Sequence, residues 1–141
     1  MKKRIALVVG STGLLVLLVA GVAFAMTITG TNRPNNITAT NRADNIAASA
    51  NRDVVIGGSG PDRIFGDGGN DALGGGDGDN VARGNDGKGD WVSVVDNDTN
   101  DFVSGGDGTD DVCVIDLIDG ECDVYSDTCE EVYQTESMPQ E

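Results

Sequence analysis

Gly57-Gly58-Ser59-Gly60-Pro61-Asp62-Arg63-Ile64-Phe65 is a nine-residue phrase that recurs in degraded form on both sides of itself. Counting by nines, the sixth place holds Asn35, Asp44, Asp53, Asp62, Asp71 and Asn80, and the eighth holds Ile37, Ile46, Val55, Ile64, Leu73 and Ala82. One place always offers a side-chain oxygen; the other is always aliphatic. Beyond Ala82 the spacing lengthens, but Asp90 with Val92, Asp101 with Val103 and Asp110 with Val112 keep the internal offset. Turn propensity of Gly, Asp and Asn explains any single loop but gives no reason for a fixed beat. The regular aliphatics argue against a disordered acidic linker.

Gly57 to Phe65 and Gly105 to Cys113 fill every fixed place of Gly-Gly-x-Gly-x-Asp-x-aliphatic-x. Gly66 to Gly74 misses only the second glycine, at Asp67, and Gly75 to Arg83 carries Asn80 and Ala82. That pattern is a known signature of calcium-binding parallel β-helices. The chain resembles the hemolysin-type, or RTX, calcium-binding repeat family over roughly residues 30 to 113.

The resemblance implies an all-β fold, a parallel β-roll or β-helix solenoid of about nine nonapeptide half-turns. The residues outside the repeat add an N-terminal signal peptide before the coil and a short disulfide-containing C-terminal tail beyond it. Two nonapeptides make one turn in such a coil, so loops two repeats apart stack and share an ion. Asp53, Asp71, Asp90 and Asp110 then line one edge, and Asp44, Asp62, Asn80 and Asp101 the other. The implied calcium ligands are Gly57, Gly58, Ser59, Gly60 and Asp62; Gly66, Gly68, Gly69 and Asp71; Gly75, Gly76, Asp77, Gly78 and Asn80; Asp90; Asp101; and Gly105, Gly106, Asp107, Gly108 and Asp110. Several Ca2+ ions are expected.

The chemistry suits those residues. Calcium takes six to eight hard oxygen ligands, many of them backbone carbonyls. Glycine reaches positive φ at no steric cost and lets consecutive carbonyls turn toward one point, while the aspartate adds a charged oxygen. The three residues after it form a short strand whose middle side chain points inward.

Composition excludes other partners. The chain has 141 residues, 24 acidic against 9 basic, no histidine, and a net charge of −15. A polyanion is repelled by nucleic acid. Zinc is not expected without histidine and with cysteines at 113, 122 and 129. No nucleophile elbow or phosphate loop occurs, and the repeat accounts for the carboxylates, so no enzyme activity is expected.

Residues 1–25 read as a secretory signal: Lys2, Lys3 and Arg4, an apolar run from Leu14, and Ala23-Phe24-Ala25 as a cleavage site. Export to the extracellular space follows, with no stable membrane insertion after cleavage. An uncleaved anchor at the outer face is the alternative, since Ile5 to Ala25 is long enough to span a bilayer. Residues 26–56 are glycine-poor units expected to cap the coil, with Arg33, Arg42 and Arg52 placed to neutralise Asp44 or Asp53, or else lying on the surface. Residues 57–113 are the glycine-rich repeats, with two lengthened units at 84–104.

In those units Trp91 and Phe102 precede the inward place, so they face outward and either stack on each other or cover the sheet. Asp96, Asp98 and Asn100 match the start of an EF-hand loop, but Asp101 replaces its glycine and Asp107 its final Glu. Residues 114–141 form an acidic, cysteine-containing tail that breaks the repeat and ends in a disordered Ser137–Glu141. Spacing leaves three disulfide pairings open. Cys113 with Cys129 is the expected one, because it folds the intervening residues over the last rung's exposed edge.

The whole predicts an exported calcium-binding β-roll that folds on binding Ca2+. The alternative is a cell-surface structural or adhesive module that binds a protein or wall polymer in a calcium-dependent way.

Overall fold

In a computed structural model, the repeat winds into an alternation of short strands and loops that builds two parallel sheets. The structure describes residues 6–8, 14–16, 25–118 and 121–136; for 6–8, 14–16, 121 and 122 it describes the backbone alone. The basic start of the expected leader, residues 23–24 of its cleavage site, and Ser137–Glu141 lie outside the described residues.

One sheet contains β1 (Ala6–Val8), β3 (Thr27–Thr29), β5 (Asn45–Ala47), β7 (Arg63–Gly69), β9 (Val81–Gly87), β11 (Phe102–Asp107) and β14 (Val124–Tyr125), in that order. The other runs through β2 (Leu14–Val16), β4 (Asn36–Thr38), β6 (Val54–Ser59), β8 (Ala72–Asp77), β10 (Trp91–Ser93) and β12 (Val112–Ile118). To β12 are added β13 (Glu121–Cys122), antiparallel, and β15 (Glu131–Glu136), parallel. Every other pairing is parallel, and from β1 to β12 consecutive strands alternate between the sheets, which defines a β-solenoid of about 6 turns.

The eighth place is the core. Ile37, Val55, Leu73, Val92 and Cys113 stack in register in one sheet, and Ile28, Ile46, Ile64, Ala82 and Val103 in the other. All ten are buried, and they interdigitate between the sheets in a single cluster. A strand three residues long buries one side chain per pass, and Ala48, Val94 and Ile115 add a second buried apolar residue to theirs.

The last repeat is shifted from the expected register. Cys113, not Val112, pairs with Val92 and points inward, and Asp111, not Asp110, takes the buried corner. Asp110 is exposed and left-handed, with φ +70°. It is the extra residue of a lengthened loop, stacked beside Gly89 (φ +68°) of the loop below, whose N–H donates to the Thr109 carbonyl.

The tail does not break off the coil. β14 and β15 extend the two sheets by a further turn beyond the repeat. The disulfide joins Cys113 to Cys129, and both sulfurs lie in the end of the core. Edge protection is therefore achieved by another rung instead of a strap folded across. Trp91 and Phe102 do not meet, because they sit on opposite sheets. Trp91 stacks on Tyr133 at 6.5 Å between ring centroids, and Phe102 lies under the Arg83 guanidinium at 5.3 Å.

Candidate metal centres at the loop edges

Two ladders of carboxylates run up the coil, one on each edge. On one edge the N–H of Asn35 donates to Asp53 Oδ1 at 2.6 Å, that of Asp53 to Asp71 at 2.7 Å, Asp71 to Asp90 at 2.7 Å, and Asp90 to Asp111 at 2.9 Å. On the other edge the chain of donors is Met26, Asp44, Asp62, Asn80 and Asp101, each to the next acid or amide, ending at Asp123. Each corner side chain thus turns back over its own loop and ties it to the rung below.

Only one oxygen of each carboxylate is used in this way. Oδ2 of Asp53, Asp62, Asp71, Asp90, Asp101 and Asp111 is buried and has no hydrogen-bond donor. An orphaned buried carboxylate oxygen costs several kcal/mol in a dry interior unless a proton or cation accompanies it. Burial accordingly pushes Asp53, Asp71 and Asp90 up to about 6, Asp62 to about 7 and Asp101 to about 8. Backbone N–H bonds oppose that rise, and neighbouring carboxylates add to it at Asp62, Asp71, Asp90 and Asp101.

The first glycine of the repeat makes room for those oxygens. A β-carbon on Gly66 would stand 2.5 Å from Asp71 Oδ2 and 2.7 Å from the Gly84 carbonyl oxygen. Gly57 sits likewise under Asp62 Oδ2 and the Gly75 carbonyl, Gly84 under Asp90 Oδ2 and the Gly105 carbonyl, and Gly105 under Asp111 Oδ2 and the Thr128 carbonyl. At each seat an anionic oxygen and a carbonyl oxygen from the next turn converge over a bare Cα. Hard oxygen donors without a proton donor between them are the donor set calcium takes.

From the third unit onward the second place of the loop is left-handed at Gly58, Gly76 and Gly106, and also at Ser49, Asp67 and Asn85. Asp and Asn tolerate that conformation, so the loop path survives where the glycine is lost. Asp67 and Asn85 stack directly, with an amide-to-carboxylate bond of 3.2 Å.

Not every expected ligand offers an open oxygen. Asn80 Oδ1 accepts from Asp62 N–H and its Nδ2 donates to the Gly76 carbonyl, so both polar atoms are engaged. In the glycine-poor rungs, Asp44 Oδ2 is held by the Thr40 N–H at 2.8 Å and hydroxyl at 2.7 Å. A threonine fills there one of the two roles open to the arginines; Arg42 and Arg52 are exposed. Counting nines missed Asp111, and the signal that finds it is the one-residue lengthening of the loop below, at Gly84 to Asp90.

The fold and the carboxylate edges define a calcium-binding β-roll. The chain belongs to the RTX calcium-binding nonapeptide repeat family, whose model matches in four copies, at residues 29–64, 38–73, 48–82 and 93–113, more than half of the sequence. No curated protein and no solved structure matches the chain significantly.

Proposed function

We propose that this protein is exported and that its loop edges chelate Ca2+ and fold on binding it. The observation that carries the proposal is the set of buried carboxylate oxygens without donors, four of which lie over a glycine seat beside a carbonyl of the next turn. The side-chain ligands are Asp62, Asp71, Asp90 and Asp111, with Asp53 at the glycine-poor end. The backbone of Gly57–Gly60, Gly66–Gly69, Gly75–Gly78 and Gly105–Gly108, with Gly84 and Thr128, supplies the carbonyls. Acidic corners stacked in two columns repel one another until cations intervene, and the thin aliphatic core is opposed by the entropy of a glycine-rich chain. Metal-binding free energy then becomes folding free energy.

Extracellular calcium modules bind at about 0.1 to 1 mM, so folding after export is the regime in which such loops operate. A cleaved leader would leave Met26 as the first residue and remove β1 and β2. Among the described residues, no helix is long and apolar enough to cross a membrane. Circular dichroism in chelator and then in millimolar calcium tests the reading: a β spectrum is expected to develop with the metal, and an identical spectrum in both would reject coupled folding. Amino-terminal sequencing of protein recovered from the medium tests export and the start at Met26.

A further inference from the structure

The lengthened loop Val94–Asp101 departs from the repeat at the place where a calcium seat should be. Ser93 pairs with Gly74, so Val94 occupies the position of Gly75 one turn below; it is fully buried, and so is Ile115 above it. An apolar side chain therefore closes the glycine seat on this edge. Asp101, the corner acid of the loop, is 1% exposed, and its Oδ2 still has no donor.

Asp96, Asp98 and Asp101 bring carboxylate oxygens within 4.8 Å of one another. The insertion is shaped to bring them there. Asn97 is left-handed (φ +79°), Asp96 Oδ1 accepts the Asp98 N–H at 3.0 Å, and Asp98 Oδ1 accepts the Asn100 N–H at 3.0 Å. Asp96 Oδ2 accepts the Gly78 N–H at 2.7 Å, anchoring the loop to the turn below. From the turn above, Asp116 Oδ2 takes the N–H groups of Asp96 and Asn97, and Asp123 takes those of Asp101 and Asp116. Thr135 in β15 donates its hydroxyl to Asp116. The donors to this group of acids are backbone N–H groups and one hydroxyl, none of which neutralises three converging carboxylates.

We propose that Asp96, Asp98 and Asp101 form a separate calcium site, built from side chains of the insertion instead of repeat-loop glycines, that clamps the loop between the Gly78 turn and the C-terminal turn. The choice of calcium follows the donors, three hard carboxylates in an irregular loop. The inference deepens the calcium-binding reading above but rests on different residues.

The test is an ion count on the full chain by equilibrium dialysis against saturating calcium, with amide exchange followed at loops 66–71 and 94–101. D96N/D98N is expected to lose one ion per chain and the calcium-dependent protection of 94–101, while 66–71 stays protected. Asp98 accepts only a neighbouring backbone N–H, so D98N alone keeps the fold and is expected to weaken that one ion at least about tenfold, affinity in such loops being set by ligand charge. An unchanged count and unchanged affinity in both variants overturns this site and leaves the repeat-loop reading standing. Uptake lost in D96N/D98N but retained in D62N/D71N upholds this site against the repeat loops. A wild-type chain that takes up no calcium overturns both.

Discussion

At Asp71, one carboxylate oxygen accepts the Asp53 N–H while the other, without a donor, lies over Gly66. Asp71→Asn keeps the first contact and removes the charge from the second. Calcium titration is expected to show the loss or strong weakening of one ion, with little change in the fold at saturating metal. Gly66→Ala attacks the same seat from below. Its β-carbon would press on Asp71 Oδ2 and the Gly84 carbonyl, backbone that cannot swing away, so a loss of about 1 to 3 kcal/mol is expected from chemical denaturation in calcium. In metal-free protein the raised aspartates also set a pH dependence. Asp62 at about 7 and Asp101 at about 8, against 3.8 in an unfolded chain, mean that the folded state holds protons the unfolded state has released. Their contribution is fully present below the unfolded value and is lost as pH rises through the folded values. In chelator the β signal in circular dichroism should therefore be greatest near pH 5 and decline toward about pH 8. Calcium should restore it at the alkaline end, where the carboxylates are free to bind.

Among the elements, the glycine-poor rungs and the glycine-rich ones share a path but satisfy their corners differently. Thr40 closes the loop of β4–β5 on Asp44 with its own N–H and hydroxyl, a covalently built substitute for a cation. Thr40→Val removes the hydroxyl bond and is expected to cost about 0.5 to 1.5 kcal/mol without changing the number of bound ions, a pairing that thermal melts and dialysis together resolve. At the other end, the bond between Cys113 and Cys129 pins β15 beside β12 across a separation of 16 residues. Replacing both cysteines with Ala should destabilise the last turn by roughly 3 kcal/mol on a chain-entropy estimate, read as early exchange of β14 and β15 amides. The last repeat also shows what periodic counting misses. Two aspartates stand side by side at 110 and 111, and the pattern counted from Gly105 selects the first. The loop stacked below carries the same one-residue excess, and stacking hands the corner to the second.

For the molecule as a whole, a net charge of −15 and a thin aliphatic core suit a coil stabilised by bound cations. Each site filled above its dissociation constant is expected to add about 1.4 kcal/mol of stability per tenfold rise in calcium. Melting temperature should climb with the logarithm of calcium concentration, and magnesium, which demands a tighter octahedral shell, should raise it much less. The two-sheet coil, its inward residues and most of its acidic corners were legible in the sequence, because a nine-residue period with one aliphatic place allows a single way to bury that place at every pass. Three things were settled only by the folded backbone: the seat shared by Asp71 and the Gly84 carbonyl, the capture of Asp44 by Thr40, and the gathering of Asp96, Asp98 and Asp101. Local pattern specifies the path of one rung. Which oxygens of successive rungs face each other, and which of them lack a donor, is decided only when the rungs stack.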